Sequence, residues 1–392
     1  MALMLSMGMF MGWVCSKLRL PSLLGMIITG ILLGPYALDL MDSSLLELSS
    51  ELRRIGLIII LTRAGLSLDI EDLKKVGRPA ILMCFVPACL EMLGMILLAP
   101  PLLGISLLDA AIMGAVVAAV SPAVIVPKML QLMNEGYGVE KGIPQLILAG
   151  ASVDDVFVIV MFSAFTGLAQ GGSISPISFV KIPISIGTGI IVGGIIGYLL
   201  AQYFKKVHMR DSAKVVILIC ISFIMVTIED RYSEVIPFAA LIAIMGMGIA
   251  LQRKRQAVAE RLSLKFNKLW VAAEIILFVL VGATVDLRYA LLAGAWAVLL
   301  IFGVLIFRMV GVLLCLLKTN LSMKERIFCM IGYTPKATVQ AAIGGVPLAM
   351  GLASGNIILT VAVLAILVTA PLGAFLIDLL YKNLLTRREQ SV

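Results

Sequence analysis

The amino-acid sequence predicts an all-α polytopic membrane protein with 13 transmembrane helices, arranged as two inverted six-helix repeats with crossed discontinuous helices. Three observations predict this fold class: the composition, the number of apolar segments, and three internal matches at nearly one offset. Of the 392 residues, 61% are hydrophobic and 14% are charged, and the mean hydropathy is +1.10. Soluble domains do not have this composition, so we expect most of the chain to lie in a bilayer.

Thirteen apolar segments follow one another along the chain. A bilayer core of roughly 30 Å needs about 20 apolar residues per helix. The first segment has neither a basic region before it nor a small-residue cleavage site after it, so we interpret it as a helix and not as a signal peptide. The predicted helices lie at 1–15, 21–38, 55–68, 79–99, 107–127, 143–168, 179–204, 213–228, 235–251, 268–285, 289–317, 327–350 and 353–380.

Basic residues predict the orientation of these helices. Of the 31 Lys and Arg residues, 23 lie in loops on one side, five lie on the other side, and three lie within helices. Because cytoplasmic loops are the more basic ones, we expect an N-terminus outside and a C-terminus in the cytoplasm, in an inner (plasma) membrane. The basic stretch 251–268 is interpreted as a solvated cytoplasmic loop near membrane lipid, so no nucleic acid is expected as a partner.

The cysteines and the single histidine do not predict a metal or redox site. Six cysteines are scattered through apolar segments without the spacing of metal ligands, and His208 is alone. We therefore expect no metal site on these residues, no disulfide framework and no histidine proton relay. The protein is expected to have no cofactor and not to be an enzyme.

Three short matches indicate an internal repeat. Pro21 and Pro237 each precede a glycine by nine residues, "AGLSLD" of helix 3 resembles "VGATVD" of helix 10, and "SPAVIV" of helix 5 resembles "TPKATV" of helix 12. The offsets are 216, 217 and 213 residues. They correspond to seven helices, and because seven is odd, the second copy must insert inverted. Helices 1–6 and 8–13 then form the repeats, as in many secondary transporters.

The matched helices 5 and 12 each carry a proline signal for a break near mid-membrane. The breaks are predicted at Ser121 and Pro122 and at Thr334 and Pro335. A proline removes a backbone donor and leaves carbonyl oxygens without intrahelical partners. Such backbone is tolerated at this depth only where protein or a watery cavity surrounds it, so paired breaks indicate a transport site.

Five charged residues lie deep in the predicted helices: Glu91, Asp154, Asp155, Arg308 and Lys336. Each costs roughly 2.5 to 3.5 kcal/mol at the bilayer centre, and three acids face only two bases. Adjacent residues of a helix point about 100° apart, so the two aspartates must have different roles. We expect one to pair with a fixed cation while the other faces the cavity, where carboxylate and carbonyl oxygens suit Na⁺ or Li⁺.

Four motifs together resemble the monovalent cation/proton antiporter superfamily, most closely its NHA-type sodium/proton antiporter branch. They are "PSLLGMIITGILLGP", "SPAVIVPKM", "GASVDDVFVI" and "TPKATVQAA". The resemblance covers nearly the whole chain and implies an NhaA/NapA-like fold that exchanges Na⁺ or Li⁺ for H⁺ by an elevator motion. It also implies that the protein transports small cations and forms a homodimer.

The resemblance assigns roles to individual residues. It implies cation and proton binding at Asp154, Asp155 and Ser152, and because one acid of the pair is expected to be held by a base, we expect Asp155 to be the carrier. Arg308 stands where many relatives have lysine, and an arginine is not expected to carry a proton itself. Glu91 with Lys336 matches an ion pair of the NHA branch. We therefore expect contacts between Asp154 and Arg308 and between Glu91 and Lys336.

The resemblance also implies a domain organisation. Six segments follow: scaffold helices at 1–77, core transport helices at 78–176, a connector at 177–206, scaffold helices at 207–287, core helices at 288–385, and a cytoplasmic tail at 386–392.

Three alternative functions stay open at this point. A K⁺/H⁺ antiporter would use the same residues for a different cation. A sodium-coupled organic-acid symporter of the bile-acid transporter type would share the inverted repeat and crossed helices but would not need adjacent acids and a buried base. An ion channel would need a continuous pore and no paired breaks.

Overall fold

Helices account for almost all regular structure in the computed structural model. It describes residues 1–18, 20–67, 77–170, 176–232, 238–285 and 287–387. Within these ranges the helices, numbered α1 to α18 in chain order, are Ala2–Lys17, Ser22–Leu33, Ser43–Glu47, Ser49–Ser67, Arg78–Met83, Val86–Leu103, Leu107–Val117, Pro122–Glu135, Ile143–Gln170, Pro176–Lys206, Asp211–Tyr232, Ala240–Lys254, Gln256–Ala283, Leu287–Cys315, Met323–Gly332, Thr338–Ile343, Val346–Ala349 and Gly355–Leu384.

Eight helical segments of the described residues are long and apolar enough to cross a membrane. They are Arg78–Leu103, Leu107–Glu135, Ile143–Ala169, Gly187–Lys206, Asp211–Tyr232, Gln256–Ala283, Gly294–Cys315 and Gly355–Leu384. Shorter apolar helices lie at Ala2–Lys17, Ser22–Leu33 and Thr338–Ala349. The prediction of an all-helical, multi-pass membrane protein is confirmed, whereas the number of 13 helices and the inverted repeat stay predictions.

The chain divides into two compact units, described separately here. The first contains Met1–Ser50, Glu71–Val158 and Leu277–Val392, and the second contains Glu51–Ile70 and Ile159–Ile276. All five deep charges predicted from the sequence belong to the first unit. The division into transport core and scaffold stays a prediction.

Two glycines of the first unit allow α14 to approach α6 closely. A Cβ atom at Gly94 would lie 2.7 Å from the ring of Phe307, and one at Gly311 would lie 2.7 Å from the Cα atom of Pro87. A larger side chain at Gly94 would force the Phe307 side chain to shift, and one at Gly311 would push against the backbone of α6. Because Glu91 lies between these contacts on α6, this close packing brings its side chain to α14.

The second unit contains a helix pair that packs through small residues. Cβ atoms built at Gly193 and Gly197 of α10 would lie 2.2 and 2.3 Å from carbonyl oxygens of Ala243 and Met247 of α12. Small residues four positions apart form one stripe along a helix, which is a common packing surface between membrane helices.

The basic stretch 251–268 is not a solvated loop, so that prediction is wrong. Residues 251–254 complete α12, and α13 begins at Gln256. The reason is an apolar helical stripe within the basic stretch, which the high charge conceals. Its buried members Val258, Leu262 and Phe266 have the i, i+4, i+8 spacing of one helix face, and Ala259 is buried beside them.

Three helical segments of the first unit are interrupted. The first two interruptions separate α7 from α8, at residues 118–121, and α15 from α16, at 333–337. The third, at residues 84–85, was not predicted and divides the segment expected at 79–99 into α5 and α6. Its cause is Pro87, which lacks the N–H that Met83 would need to continue the helix.

Local sequence signals define where the helices restart. Pro122 occupies the first turn of α8, the position in which a proline costs no hydrogen bond. α15 begins with a capping box in which Ser322 and Glu325 bond each other's backbone N–H groups. Lys141 Nζ lies 2.8 Å from the same carboxylate. Burial raises the pKa of Glu325, but the hydrogen bonds from Lys141 and Ser322 outweigh it and leave the pKa below its ordinary value.

Candidate functional site

The interruptions at 118–121 and 333–337 contact each other directly. The backbone N–H of Ser121 donates to the carbonyl oxygen of Pro335 at 2.8 Å. This bond replaces the one that Ser121 would make within a continuous helix. We call this contact between residues 118–121 and 333–337 the crossing. Two partial negative and two partial positive charges meet there, because α7 and α15 end at it with carbonyl groups while α8 and α16 begin at it with N–H groups.

Arg308 of α14 lies at the centre of a buried charge cluster. Its Nη2 is 2.8 Å from Asp154 Oδ2, and its Nη1 is 2.7 Å from Glu91 Oε2. Lys336 Nζ is 2.8 Å from the carboxylate of Glu91. All four side chains are 0% exposed. The cluster contains two acids and two bases, so its formal charges cancel, as buried ions require.

The guanidinium of Arg308 also satisfies the interrupted backbone. It donates through Nη1 to the carbonyl oxygen of Ala118 and through Nε to that of Tyr333. One side chain therefore bonds a carbonyl of each interruption in addition to two carboxylates. Arginine has five N–H donors in a rigid plane, whereas a lysine has three on one atom and does not reach four separate acceptors in this way.

The two adjacent aspartates have different surroundings. Asp154 Oδ2 accepts from Arg308 and from the backbone N–H of Val120 at 2.9 Å, so this carboxylate is held by a base and by the first interruption. Asp155 is 9% exposed, and its Oδ1 is buried without a hydrogen-bond partner among the described residues. Asp155 is the one of the five deep charges that contacts no opposite charge within the described part of the chain.

Further oxygen atoms near the crossing have unused acceptor capacity. Within the described ranges, Ser121 Oγ, Thr338 Oγ1 and Asp154 Oδ1 are buried without hydrogen-bond partners. Hydroxyl, carboxylate and carbonyl oxygens are the ligands of hard cations. These oxygen atoms have the donor chemistry that hard cations such as Na⁺ or Li⁺ require, and Asp155 is the deep acid without an opposite charge among the described residues.

Thr334, Pro335 and Lys336 lie in the second interruption. The hydroxyl of Thr334 donates to the carbonyl oxygen of Ile331 at 2.8 Å. The backbone N–H of Lys336 donates to Thr369 Oγ1 at 3.0 Å. The side chain of Ser152 lies outside the described residues.

Two polar side chains at the crossing were missed in the sequence. The hydroxyl of Tyr333 donates to the carbonyl oxygen of Met83 at 3.1 Å, the acceptor left unpaired because Pro87 has no N–H. Gln340 donates to the carbonyl oxygen of Val117, the last residue of α7, and to that of Ala119 in the first interruption. The available signal was a lone tyrosine and a lone glutamine within the apolar stretch that also carries Lys336.

Replacing Gly150 by alanine should disturb this arrangement. A Cβ atom at Gly150 would lie 2.3 Å from Tyr333 Oη and 3.0 Å from the Cβ of Met83. Because the tyrosine ring is fully buried, we expect a loss of about 1 to 3 kcal/mol from overpacking, measured as a lower midpoint of thermal unfolding. Gly167→Ala on the same helix is the control, since open space surrounds Gly167. Equal midpoints for the two variants would contradict the expected clash.

The fold and the site together define a class of protein. It is an integral, multi-pass membrane protein in which two interrupted helical segments contact each other beside a buried charge cluster, and secondary transporters use interrupted helices and buried charges in this way. The family model described as sodium/hydrogen exchanger, transmembrane, matches residues 4–382. The chain belongs to this sodium/hydrogen exchanger family, and the predicted membership of the monovalent cation/proton antiporter superfamily is confirmed.

Comparison with individual proteins agrees with this family. The chain is 33% identical over 390 residues to sodium/hydrogen exchanger 9B2 of Homo sapiens, covering 95% of this chain and 71% of that protein. It is 31% identical over 385 residues to sodium/hydrogen exchanger 9B1 of Homo sapiens, covering 94% and 73%. The structure of the sodium proton antiporter MjNhaP1 from Methanocaldococcus jannaschii at pH 8 matches with a TM-score of 0.85 at 19% identity, over 98% of this chain and 97% of that one. The two chains therefore share a fold.

Proposed function

We propose that the protein is a secondary active antiporter that exchanges Na⁺ or Li⁺ for H⁺, with Asp155 as the shared carrier of cation and proton. The names of the similar proteins, sodium/hydrogen exchangers and a sodium proton antiporter, support this cargo. The observation that carries the proposal is the charge balance of the crossing. Asp154, Glu91, Arg308 and Lys336 neutralise one another, which leaves the carboxylate of Asp155 to be neutralised by an ion from outside the protein.

Competition for one carboxylate makes the exchange obligatory. An ionised side chain in the membrane interior costs free energy, so the binding site moves from one side of the membrane to the other only when Na⁺ or H⁺ neutralises Asp155. Each crossing with Na⁺ must then be matched by a return with H⁺. In this scheme Ser152 and the free Oδ1 of Asp154 contribute oxygen ligands to the binding site. Arg308 neutralises the charge of Asp154, so Asp155 alone needs a cation or a proton.

The motion that we assign to this site is an elevator. Core helices 4–6 and 11–13 move against a scaffold of the others, and the two inverted repeats supply the outward-open and inward-open states. The scaffold forms a homodimer embedded in membrane lipid. Support comes from the two interrupted helix pairs, which place polar backbone around the site and not at the lipid surface.

The proposed orientation has the N-terminus outside and the C-terminus in the cytoplasm of a plasma membrane. With 23 basic residues on one side and five on the other, position 171 should face outward and position 255 inward. Position 171 lies outside the described residues. In a chain whose own cysteines are replaced, a membrane-impermeant thiol reagent should label a cysteine at position 171 of intact cells. Labelling at position 255 instead would reverse the orientation.

A proteoliposome assay tests the function. The purified protein is placed in vesicles with an imposed pH gradient and a pH-sensitive dye, and NaCl, LiCl, KCl or choline chloride is added outside. We expect Na⁺ and Li⁺, but not choline, to move protons. Proton movement with K⁺ alone would indicate the K⁺/H⁺ alternative. Electrical current without proton coupling would indicate a channel, and Na⁺-driven uptake of an organic acid without proton movement would indicate a symporter.

A further inference from the structure

Gln340 connects the two interrupted helix pairs through a single side-chain amide. It lies on α16 and is fully buried. Its Nε2 donates to the carbonyl oxygens of Val117 at 3.0 Å and Ala119 at 2.9 Å. An amide nitrogen has two N–H groups, so both donors are used. The two acceptors also fix the orientation of the amide, because its oxygen in that position would face two carbonyl oxygens.

The two carbonyl groups need a donor from another helix. In a continuous helix Val117 would accept from the N–H of Ser121, but that N–H donates to Pro335 instead. Ala118 would accept from residue 122, which is a proline and has no N–H. Arg308 supplies the donor for Ala118, and Gln340 supplies the donors for the residues on either side of it. Without Gln340 these buried acceptors would lose their hydrogen bonds.

The backbone that Gln340 holds also holds the charge cluster. The carbonyl oxygen of Ala118 accepts from Arg308, and the N–H of Val120 donates to Asp154. We propose that Gln340 is a positioning residue for the exchange reaction. Its amide fixes the backbone of residues 117–120, that backbone fixes the carboxylate of Asp154 and the guanidinium of Arg308, and these set the charge beside Asp155. This inference rests on the proposed function.

Methionine is the informative replacement. Gln340 Oε1 has no hydrogen-bond partner among the described residues, so Gln340→Met keeps the length of the side chain and removes only the two N–H donors that the argument uses. Gln340→Asn keeps the amide but shortens the side chain by one methylene group, so it reaches at most one of the two carbonyl groups.

Thr360→Val is the matched control. Thr360 lies on α18 of the same unit and is also buried, and among the described residues its hydroxyl bonds only within its own helix, to the carbonyl oxygen of Asn356 at 2.8 Å. The variant therefore removes a buried hydrogen bond that does not involve residues 117–121, 333–337 or Gln340. We expect it to lower the midpoint of thermal unfolding and to leave the apparent KM for Na⁺ and the pH profile of exchange unchanged.

The experiment measures exchange in proteoliposomes over a range of pH values, together with backbone hydrogen exchange of a peptide containing residues 118–121. For Gln340→Met we expect an apparent KM for Na⁺ about tenfold higher, which corresponds to roughly 1.4 kcal/mol of binding. We also expect a shifted pH profile and faster hydrogen exchange at 118–121. The values for Gln340→Asn should lie between those of Gln340→Met and of the unaltered protein. If Gln340→Met does not fold, Gln340→Asn is used for the test.

Two outcomes would overturn the role of Gln340. One is a variant that loses thermal stability but keeps both KM and pH profile, because the amide would then be structural only. The other is a Gln340→Met variant whose apparent KM for Na⁺, pH profile and hydrogen exchange at 118–121 all equal those of the unaltered protein. An unaltered protein that moves no protons with any cation would overturn the proposed function instead, while hydrogen exchange at 118–121 would still report whether the amide holds this backbone.

Discussion

Asp155→Asn is expected to abolish cation-driven proton movement while the protein still folds. Asparagine has nearly the size of aspartate but neither binds a proton near neutral pH nor supplies a negative charge. Because Asp155 has no ion-pair partner among the described residues, its replacement leaves no buried base unpaired. We therefore expect a loss of exchange to the level of empty vesicles with an unfolding midpoint no lower than that of the unaltered protein.

Asp154→Asn is the matched variant on the neighbouring position. It removes a charge that contacts Arg308 at 2.8 Å and leaves the proposed carrier in place. We expect weakened exchange with a shifted pH profile and a lower unfolding midpoint, since a buried base loses one of its two acids. Normal exchange by Asp155→Asn would exclude Asp155 as the carrier. If Asp154→Asn also lost exchange completely, the roles of carrier and fixed acid would be reversed.

Competition between Na⁺ and H⁺ also sets the pH dependence of the unaltered protein. Where one proton excludes one cation, the apparent KM for Na⁺ should rise about tenfold for each pH unit below the pKa of the site and level off above it. The maximal rate at saturating Na⁺ should change much less. A KM for Na⁺ that is independent of pH would show that cation and proton do not share one carboxylate.

Much of the fold and of the candidate site follows from strong local signals. Runs of apolar residues predict membrane helices, because in lipid the backbone N–H and C=O groups must form their hydrogen bonds within the segment. Prolines at 122 and 335 indicate where helices 5 and 12 are interrupted, and isolated charges in apolar runs indicate which side chains need partners. These signals concern single positions, and each can be recognised without knowing which helices are neighbours.

The parts that were missed depend on contacts between distant segments. The sequence predicts two separate ion pairs, whereas Arg308 contacts Glu91 as well as Asp154, so the pairs form one cluster. Tyr333 is explained only by an unpaired carbonyl group 250 residues away in the chain. Gln340 is likewise explained only by the interrupted backbone of α7. A polar residue in an apolar run shows that a partner exists, but the partner becomes visible only when the helices are packed.

The shared cluster predicts unequal effects of removing Glu91 and Lys336. Glu91→Gln leaves Lys336 without a carboxylate partner among the described residues, since Glu91 is the acid that it contacts there. Lys336→Met leaves Glu91 in contact with Arg308 at 2.7 Å. Removing one partner of a buried pair typically costs about 3 to 5 kcal/mol. We expect Glu91→Gln to approach that range and Lys336→Met to cost less, measured as shifts of the unfolding midpoint in detergent.

The double variant Glu91→Gln/Lys336→Met measures the coupling free energy between the two side chains. Once Glu91 is neutral, removing the charge of Lys336 takes away an unpaired buried cation, so Glu91→Gln/Lys336→Met should lose less stability than the sum of the single variants, by about 1 to 3 kcal/mol. The partly exposed pair Lys128 and Asp378 in the same unit is the control, because water already screens it and its coupling should be at most about 1 kcal/mol.

Strict additivity of Glu91→Gln and Lys336→Met would mean that the contact between these side chains contributes no free energy. A coupling as small as that of the control pair would mean that water reaches the cluster, which would leave Asp155 without the dry surroundings that its role as an obligatory carrier requires.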